Sequence, residues 1–205
     1  MKLEHLAHHI LERAGDRSRY LVAIAGPPGA GKSTLADQLL SQLSTQGAAG
    51  RIFAMDGFHL DNSILSTRGL LERKGAPETF DAHGFVHLIK RLASGEDNVV
   101  IPTFDRQRDT AVAGADCVTL KDKILLVEGN YLLLGLDPWS HLLDIWDETL
   151  FLNPGLDVLQ QRLVNRWLEL GFSREKAVRK AMGNDIPNAR YVLEHSAKAS
   201  IDFST

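Results

Sequence analysis

One cysteine, Cys117, is all that the chain carries. No intramolecular disulfide can form, and a reducing cytoplasm is the expected compartment. No apolar run reaches the roughly 20 residues that a membrane-spanning helix needs. The start, Met1-Lys2-Leu3-Glu4-His5, lacks the apolar core of a signal peptide. A basic excess is missing too: 23 Lys and Arg stand against 26 Asp and Glu, a formal charge of −3. That balance argues against a nucleic-acid-coating role. Internal repeats and low-complexity linkers are absent. The 205 residues are therefore expected to form one domain, 1–205, with a sizeable core.

What is present is one dominant motif. Gly26-Pro27-Pro28-Gly29-Ala30-Gly31-Lys32-Ser33-Thr34 fits G-x-x-x-x-G-K-[ST] at every fixed position. An apolar run, Tyr20 to Ala25, precedes it, and Leu35, Leu39 and Leu43 follow at helical spacing. Strand, glycine-rich turn and helix is the arrangement that cradles a phosphate. Successive backbone N–H groups turn inward, and the helix N-terminus adds partial positive charge. In this pattern Lys32 reaches the β/γ-phosphates and the Ser33 hydroxyl ligates Mg²⁺. The stretch predicts a nucleoside triphosphate site.

The rest of the chain supplies candidates around it. Leu3, Leu6, Ile10 and Leu11 predict a lead-in helix, whose His5, His8 and His9 are expected on a solvated face. Arg51 to Met55 predicts a second strand ending in Asp56, where open α/β sheets bind ligands, although Asp-Gly also suits a plain turn. Residues 60–82 read as a polar, irregular binding loop carrying Arg68, Arg73 and Asp81. Phe85 to Leu92 predicts a helix. Residues 99–120 predict a β-hairpin with a charged tip, set outside the main sheet because Pro102 suits an edge. Lys123 to Asn130 predicts a central parallel strand delivering Glu128 to the position of a Mg²⁺ carboxylate. A short helix over Trp139–Asp147 and a strand over Glu148–Leu152 follow. The helix predicted over 156–170 turns Leu156, Leu159, Leu163 and Trp167 inward, with Arg162 and Arg166 beside that stripe. Those arginines either rim a cleft or cover apolar surface with their stems. Ser173 reads as an N-cap, Gly183 to Asn188 as a break before the last helix, and Ala199 to Phe203 as a fifth strand.

Taken in order, the phosphate loop, Met55-Asp56-Gly57-Phe58-His59, Arg73 to Asp81, Pro102 to Arg106 and Val127 to Leu134 resemble the phosphoribulokinase/uridine kinase family of P-loop kinases. Within it they resemble a bacterial branch labelled fructose-transport-system kinase, or nucleoside/nucleotide kinase-like. The resemblance runs from about residue 20 to 195. It implies a P-loop NTPase fold of class α/β, with a five-stranded parallel sheet of order 2-3-1-4-5 flanked by helices. An acceptor-binding insert (about 57–122) and a helical lid (about 155–185) complete it. It further implies ATP and Mg²⁺ as cofactors, Asp56 acting on the acceptor hydroxyl, Glu128 near Mg²⁺, and lid arginines Arg162 and Arg166. His59, Arg68, Arg73, Asp81, Phe104, Asp105, Arg108 and Tyr131 are the acceptor candidates. One departure stands out. Uridine kinases follow an aromatic-Asp pair with a His that helps to hold the base, whereas Phe104-Asp105 is followed by Arg106-Gln107-Arg108-Asp109.

The expected activity is ATP-dependent phosphorylation of a sugar, nucleoside or related metabolite. The rival is a P-loop ATPase or nucleotide switch acting on a protein partner. No Asn-Lys-x-Asp guanine motif occurs, no glutamine flanks Glu128, and the long polar stretch 60–122 suits an acceptor. These features favour the kinase, whose partner is a small molecule, with neither nucleic acid nor membrane involved and a homodimer left open.

Overall fold

The computed structural model describes residues 2–203. Its centre is a parallel sheet of five strands: β1 (Tyr20–Ala25), β2 (Gly50–Ala54), β5 (Ile124–Gly129), β6 (Glu148–Leu152) and β7 (Ile201–Phe203). Their spatial order is β2-β5-β1-β6-β7. Counting only these five, that is 2-3-1-4-5, the order expected. β1 and β5 are buried along their whole length, which is why both read as unbroken apolar runs.

Alternate residues of β1 feed two cores. Tyr20, Val22 and Ile24 pack with Leu6 and Ile10 of α1 (Leu3–Ala14), Leu39 of α2 (Lys32–Thr45) and Leu163 of α5 (Leu156–Glu169). Leu21, Ala23 and Ala25 face Phe85 and Ile89 of α4 (Ala82–Ala93), with Phe53 and Trp139. The second core is aromatic: Phe53 stacks on Phe85 at 5.8 Å, and Phe85 lies 5.8 Å from Trp139. A hairpin of β3 (Val99–Asp105) and β4 (Thr110–Val118) forms its own antiparallel sheet. Its register shifts between Ile101 and Thr103, at Pro102, which has no N–H for a ladder.

Five expectations need correction. Residues 60–82 hold a short helix, α3 (Asn62–Thr67), and 3₁₀ turns at Leu71–Arg73 and Pro77–Thr79. The Asp61 carboxylate caps α3 by accepting from the Ser63 N–H, a polar signal that reads equally well as loop. The helix expected over Trp139–Asp147 shrinks to the 3₁₀ turn Trp139–Leu142. Gly183 does not break the chain's last helical region. α6 (Arg174–Lys180) passes through a π-helical turn, Ala181–Asp185, into α7 (Ile186–His195), and Ser173 caps α6 as expected. Leu156 is exposed at the start of α5 instead of buried. His9 also leaves the solvated face assigned to it, because its Nε2 meets the buried Glu148 carboxylate at 2.8 Å. Among the described residues no helix is long and apolar enough to cross a membrane.

Candidate functional site

Strand β1 ends at Ala25, and the next nine residues wrap back into α2. Gly26, Gly29 and Gly31 all have positive φ (148°, 80° and 99°). At Gly26 a side chain has no room as well, since a Cβ would lie 2.6 Å from the Leu152 carbonyl oxygen of the neighbouring strand. Lys32 opens α2 and is buried. Its Nζ donates to Pro27 O at 3.0 Å and to Asn130 Oδ1 at 2.7 Å. Burial pushes its pKa down, and the nearby carboxylates of Glu128 and Asp56 oppose that shift. Ser33 Oγ donates to Glu128 Oε1 at 2.9 Å. Glu128, next to last in β5, is itself buried and has its pKa pushed up by burial against the pull of Lys32. Parallel pairing of β1 with β5 sets Ile24 beside Glu128, so the register alone brings loop and carboxylate together.

Asp56 lies in the 3₁₀ turn Met55–Phe58, directly after β2. The same turn packs against the hairpin, and Gly57 permits it, because a Cβ there would sit 2.7 Å from Pro102 O. That contact brings the hairpin tip over the site, where Arg106 Nη2 pairs with Asp56 Oδ2 at 3.0 Å. His59 accompanies them: its Nδ1 meets Asp56 O at 2.8 Å, and its ring lies between Phe80 (4.1 Å) and Phe104 (4.8 Å). Desolvation lowers the His59 pKa, which favours the neutral ring. Lys74 Nζ sits 5.4 Å over the Phe104 ring and is anchored by Asp109 Oδ2 at 2.8 Å.

The acceptor candidates separate into groups. His59 and Phe104 stand beside Asp56. Arg68, Arg73 and Asp81 line a cavity of about 760 Å³ with Phe80, Trp139 and Tyr191. Phe80 is thus the wall shared by the cavity and the His59 ring. Asp81 additionally caps α4 through the Gly84 N–H at 2.9 Å. Asp105 and Arg108 are spent on each other: Asp105 accepts from the Gln107 and Arg108 amides and from Arg108 Nε at 2.7 Å. They shape the hairpin tip. Tyr131 lies beneath the surface, fully buried, with its hydroxyl on Gly75 O at 2.5 Å.

Both helix α5 arginines point toward the nucleotide side. Arg162 Nη1 donates to Ala30 O at 3.0 Å, across the back of the phosphate loop. Arg166 Nη2 pairs with Asp185 Oδ1 at 3.1 Å, and its charge is close enough to depress Lys32 further. The sequence does not single out Asn130, the acceptor for Lys32, and it offers Arg106 only as a hairpin arginine that suits an anionic or polyhydroxylated acceptor, not as the partner of Asp56. Asn130 carries a usable signal, being the polar residue two beyond the strand-end Glu128. Arg106 carries none, since only the fold of the hairpin over β2 shows which of its tip arginines reaches inward.

No family model matches the chain. A crystal structure of a protein named "putative fructose transport system kinase" from Silicibacter sp. TM1040 superposes with a TM-score of 0.94. The two are 45% identical and 99% of each chain is covered. A protein named "putative uridine kinase" from Schizosaccharomyces pombe (strain 972) is 32% identical over 209 residues, 97% of this chain and 88% of that one. Pantothenate kinase of Escherichia coli O1:K1 is 31% identical over 178 residues, and the match spans 56% of that longer protein. The phosphate loop, the strand-end carboxylates and these relatives place the chain in the P-loop kinase family of the uridine kinase/phosphoribulokinase type, and it is a phosphotransferase with an alcohol group as acceptor.

Proposed function

We propose that this enzyme transfers the γ-phosphoryl group of ATP, with Mg²⁺, to a hydroxyl of a sugar, nucleoside or related metabolite. The observation that carries the reading is the convergence of Lys32, Ser33, Glu128 and Asp56 at the carboxyl ends of three adjacent parallel strands. The residues fit both cofactors. Lys32 is a buried ammonium with three N–H groups and two protein acceptors, which leaves one donor for a phosphate oxygen. Ser33 and Glu128 supply a hydroxyl and one carboxylate, a sparse donor set that suits Mg²⁺, which takes its remaining ligands from phosphate and water.

When bound, the nucleotide supplies the phosphoryl group and Mg²⁺ neutralises its oxygens. The chain's own residues do the rest. Phosphoryl transfer asks mainly for positioning and charge neutralisation. Lys32 holds its charge on the β/γ-oxygens. Arg106 occupies Asp56 Oδ2, so Asp56 Oδ1 is the atom that accepts the proton of the acceptor hydroxyl. The 760 Å³ cavity, walled by Phe80 and rimmed by Arg68, Arg73 and Asp81, receives the acceptor. Residues 57–122 serve as the acceptor insert. Residues 155–185 serve as a lid that brings Arg162 and Arg166 down and excludes water, which competes as acceptor.

A screen of sugars, nucleosides, pantothenate and glycerate for acceptor-stimulated ADP release tests the reading. Stimulation by one class identifies the acceptor. ADP release that no alcohol accelerates would overturn the kinase and favour an ATPase or nucleotide switch.

A further inference from the structure

Two neighbouring residues, Asn184 and Asp185, reach different parts of the site. They end the wide turn Ala181–Asp185, and π-type turns of this kind recur at functional positions. Asp185, only 7% exposed, accepts from Arg166 Nη2 at 3.1 Å and from Trp167 Nε1 at 2.6 Å. Asn184 reaches the acceptor loop: its Nδ2 donates to Lys74 O at 2.9 Å, and its Oδ1 accepts from Arg73 Nη1 at 3.2 Å. The loop is tied from its other side too, since Gly75 O receives the Tyr131 hydroxyl. One turn of helix therefore holds a nucleotide-side arginine and two acceptor-side residues through adjacent side chains.

The chemistry is asymmetric. A buried carboxylate keeps its charge only while donors surround it, and stripping one away leaves a costly unpaired group. If phosphate oxygens draw Arg166 from Asp185, Asp185 retains Trp167 alone, and the turn must shift to follow the departing guanidinium. Asn184, one residue earlier on the same backbone, must shift with it. Resting on the kinase reading above, we propose that Asp185 is a positioning residue for Arg166, and that Asn184 couples its movement to the acceptor loop at Arg73–Gly75. Nucleotide binding then tightens the wall of the acceptor cavity before the acceptor enters.

Hydrogen exchange on the full chain, with Mg²⁺·AMP-PNP as the probe, tests this without knowledge of the acceptor. The amides of Lys74, Ala76 and Thr79 are bonded within the loop, so their exchange reports its local opening. In wild type the probe should slow exchange in both 26–34 and 73–79. Asn184→Ala should keep the first effect and weaken the second about fivefold or more, the lower range of measured couplings between sites. Asp185→Asn, which preserves shape but not charge, should lower turnover about 3–30-fold with the KM for ATP little changed. Should Asn184→Ala fold poorly, Asn184→Asp, which sets a carboxylate oxygen against Lys74 O in place of the donor, serves instead. Full protection of 73–79 in the Asn184 variant would overturn the proposal. So would a wild type protected at 26–34 and unchanged at 73–79. A wild type with no protection at 26–34 would overturn the nucleotide reading itself, and the coupling with it.

Discussion

Replacing Asp56 by Asn separates catalysis from architecture. The amide is nearly isosteric and can still hydrogen-bond a hydroxyl, but it cannot take the proton. Two effects are expected, of different size. Structurally, the variant loses the ion pair with Arg106, whose side chain is 69% exposed while that of Asp56 is 26% exposed. Solvent-exposed pairs contribute at most about 1 kcal/mol, which for a chain of this length shifts Tm by about 2–4 °C. Catalytically, loss of a general base costs roughly 10²–10⁴-fold, or about 2.7–5.5 kcal/mol at 1.36 kcal/mol per factor of ten. The loose transition state of phosphoryl transfer, which asks little early deprotonation, sets the outcome toward the lower end. The catalytic effect therefore exceeds anything that lost stability can produce. The assay is acceptor-dependent ADP formation under saturating ATP, with ATP affinity measured separately and a thermal melt as control. Affinity should hold within about twofold, because Asp56 has no N–H or O–H to offer the phosphates, which the loop amides and Lys32 hold. Acceptor-dependent turnover within threefold of wild type, in a folded variant, would refute the role given to Asp56.

The centre of the sheet was legible because its strands carry one clear signature. β1 and β5 are buried on both faces and read as apolar runs ended by glycine or acid, and their order followed from the family resemblance. Lys32 and Ser33 were pointed to by the glycine-rich motif that opens α2, and Glu128 by its place near the carboxyl end of β5. The rest depends on contacts that the sequence does not display. Asp105 and Arg108 look like ligands in sequence, but a tight hairpin tip lets a carboxylate satisfy two amides and a guanidinium within three residues. Arg106, between them in sequence, projects inward only because Gly57 lets the hairpin pack on the β2 turn. Tyr131 follows Asn130 in a motif full of site residues, yet strand-exit geometry turns it into the aromatic core. The π-turn escaped entirely. Gly183 and Pro187 are helix breakers by propensity, and Asp185, Asn184 and Asn188 hold the helix through them by contacts 18 to 115 residues distant.

Three further outcomes are expected. Lys32→Ala should lower turnover by roughly 10²–10³-fold, the range for removing one preorganised donor at developing charge, while ATP binding measured by titration survives on the backbone cradle. Unchanged turnover in the folded variant would dismiss the phosphate-loop assignment. Arg162→Ala should reduce kcat with a Tm change within about 4 °C, because the side chain is exposed and its loss leaves no buried charge; a large Tm loss with normal kinetics would make it a packing residue. Glu128→Gln should lower activity and also change how stability depends on pH. Burial raises the Glu128 pKa, so the folded chain binds this proton more tightly than the unfolded chain does. Stability from this group is therefore complete at low pH and is lost as pH rises through the raised value. Gln has no such proton to lose, so the Tm of the variant minus that of wild type should grow from pH 5 to pH 7 in nucleotide-free protein. His59, whose pKa is lowered, loses stability toward acid in both proteins and cancels in the difference. A difference that stays flat or shrinks as pH rises would mean that Glu128 is solvated in the folded chain, and its place beside Lys32 and Ser33 would then need another explanation.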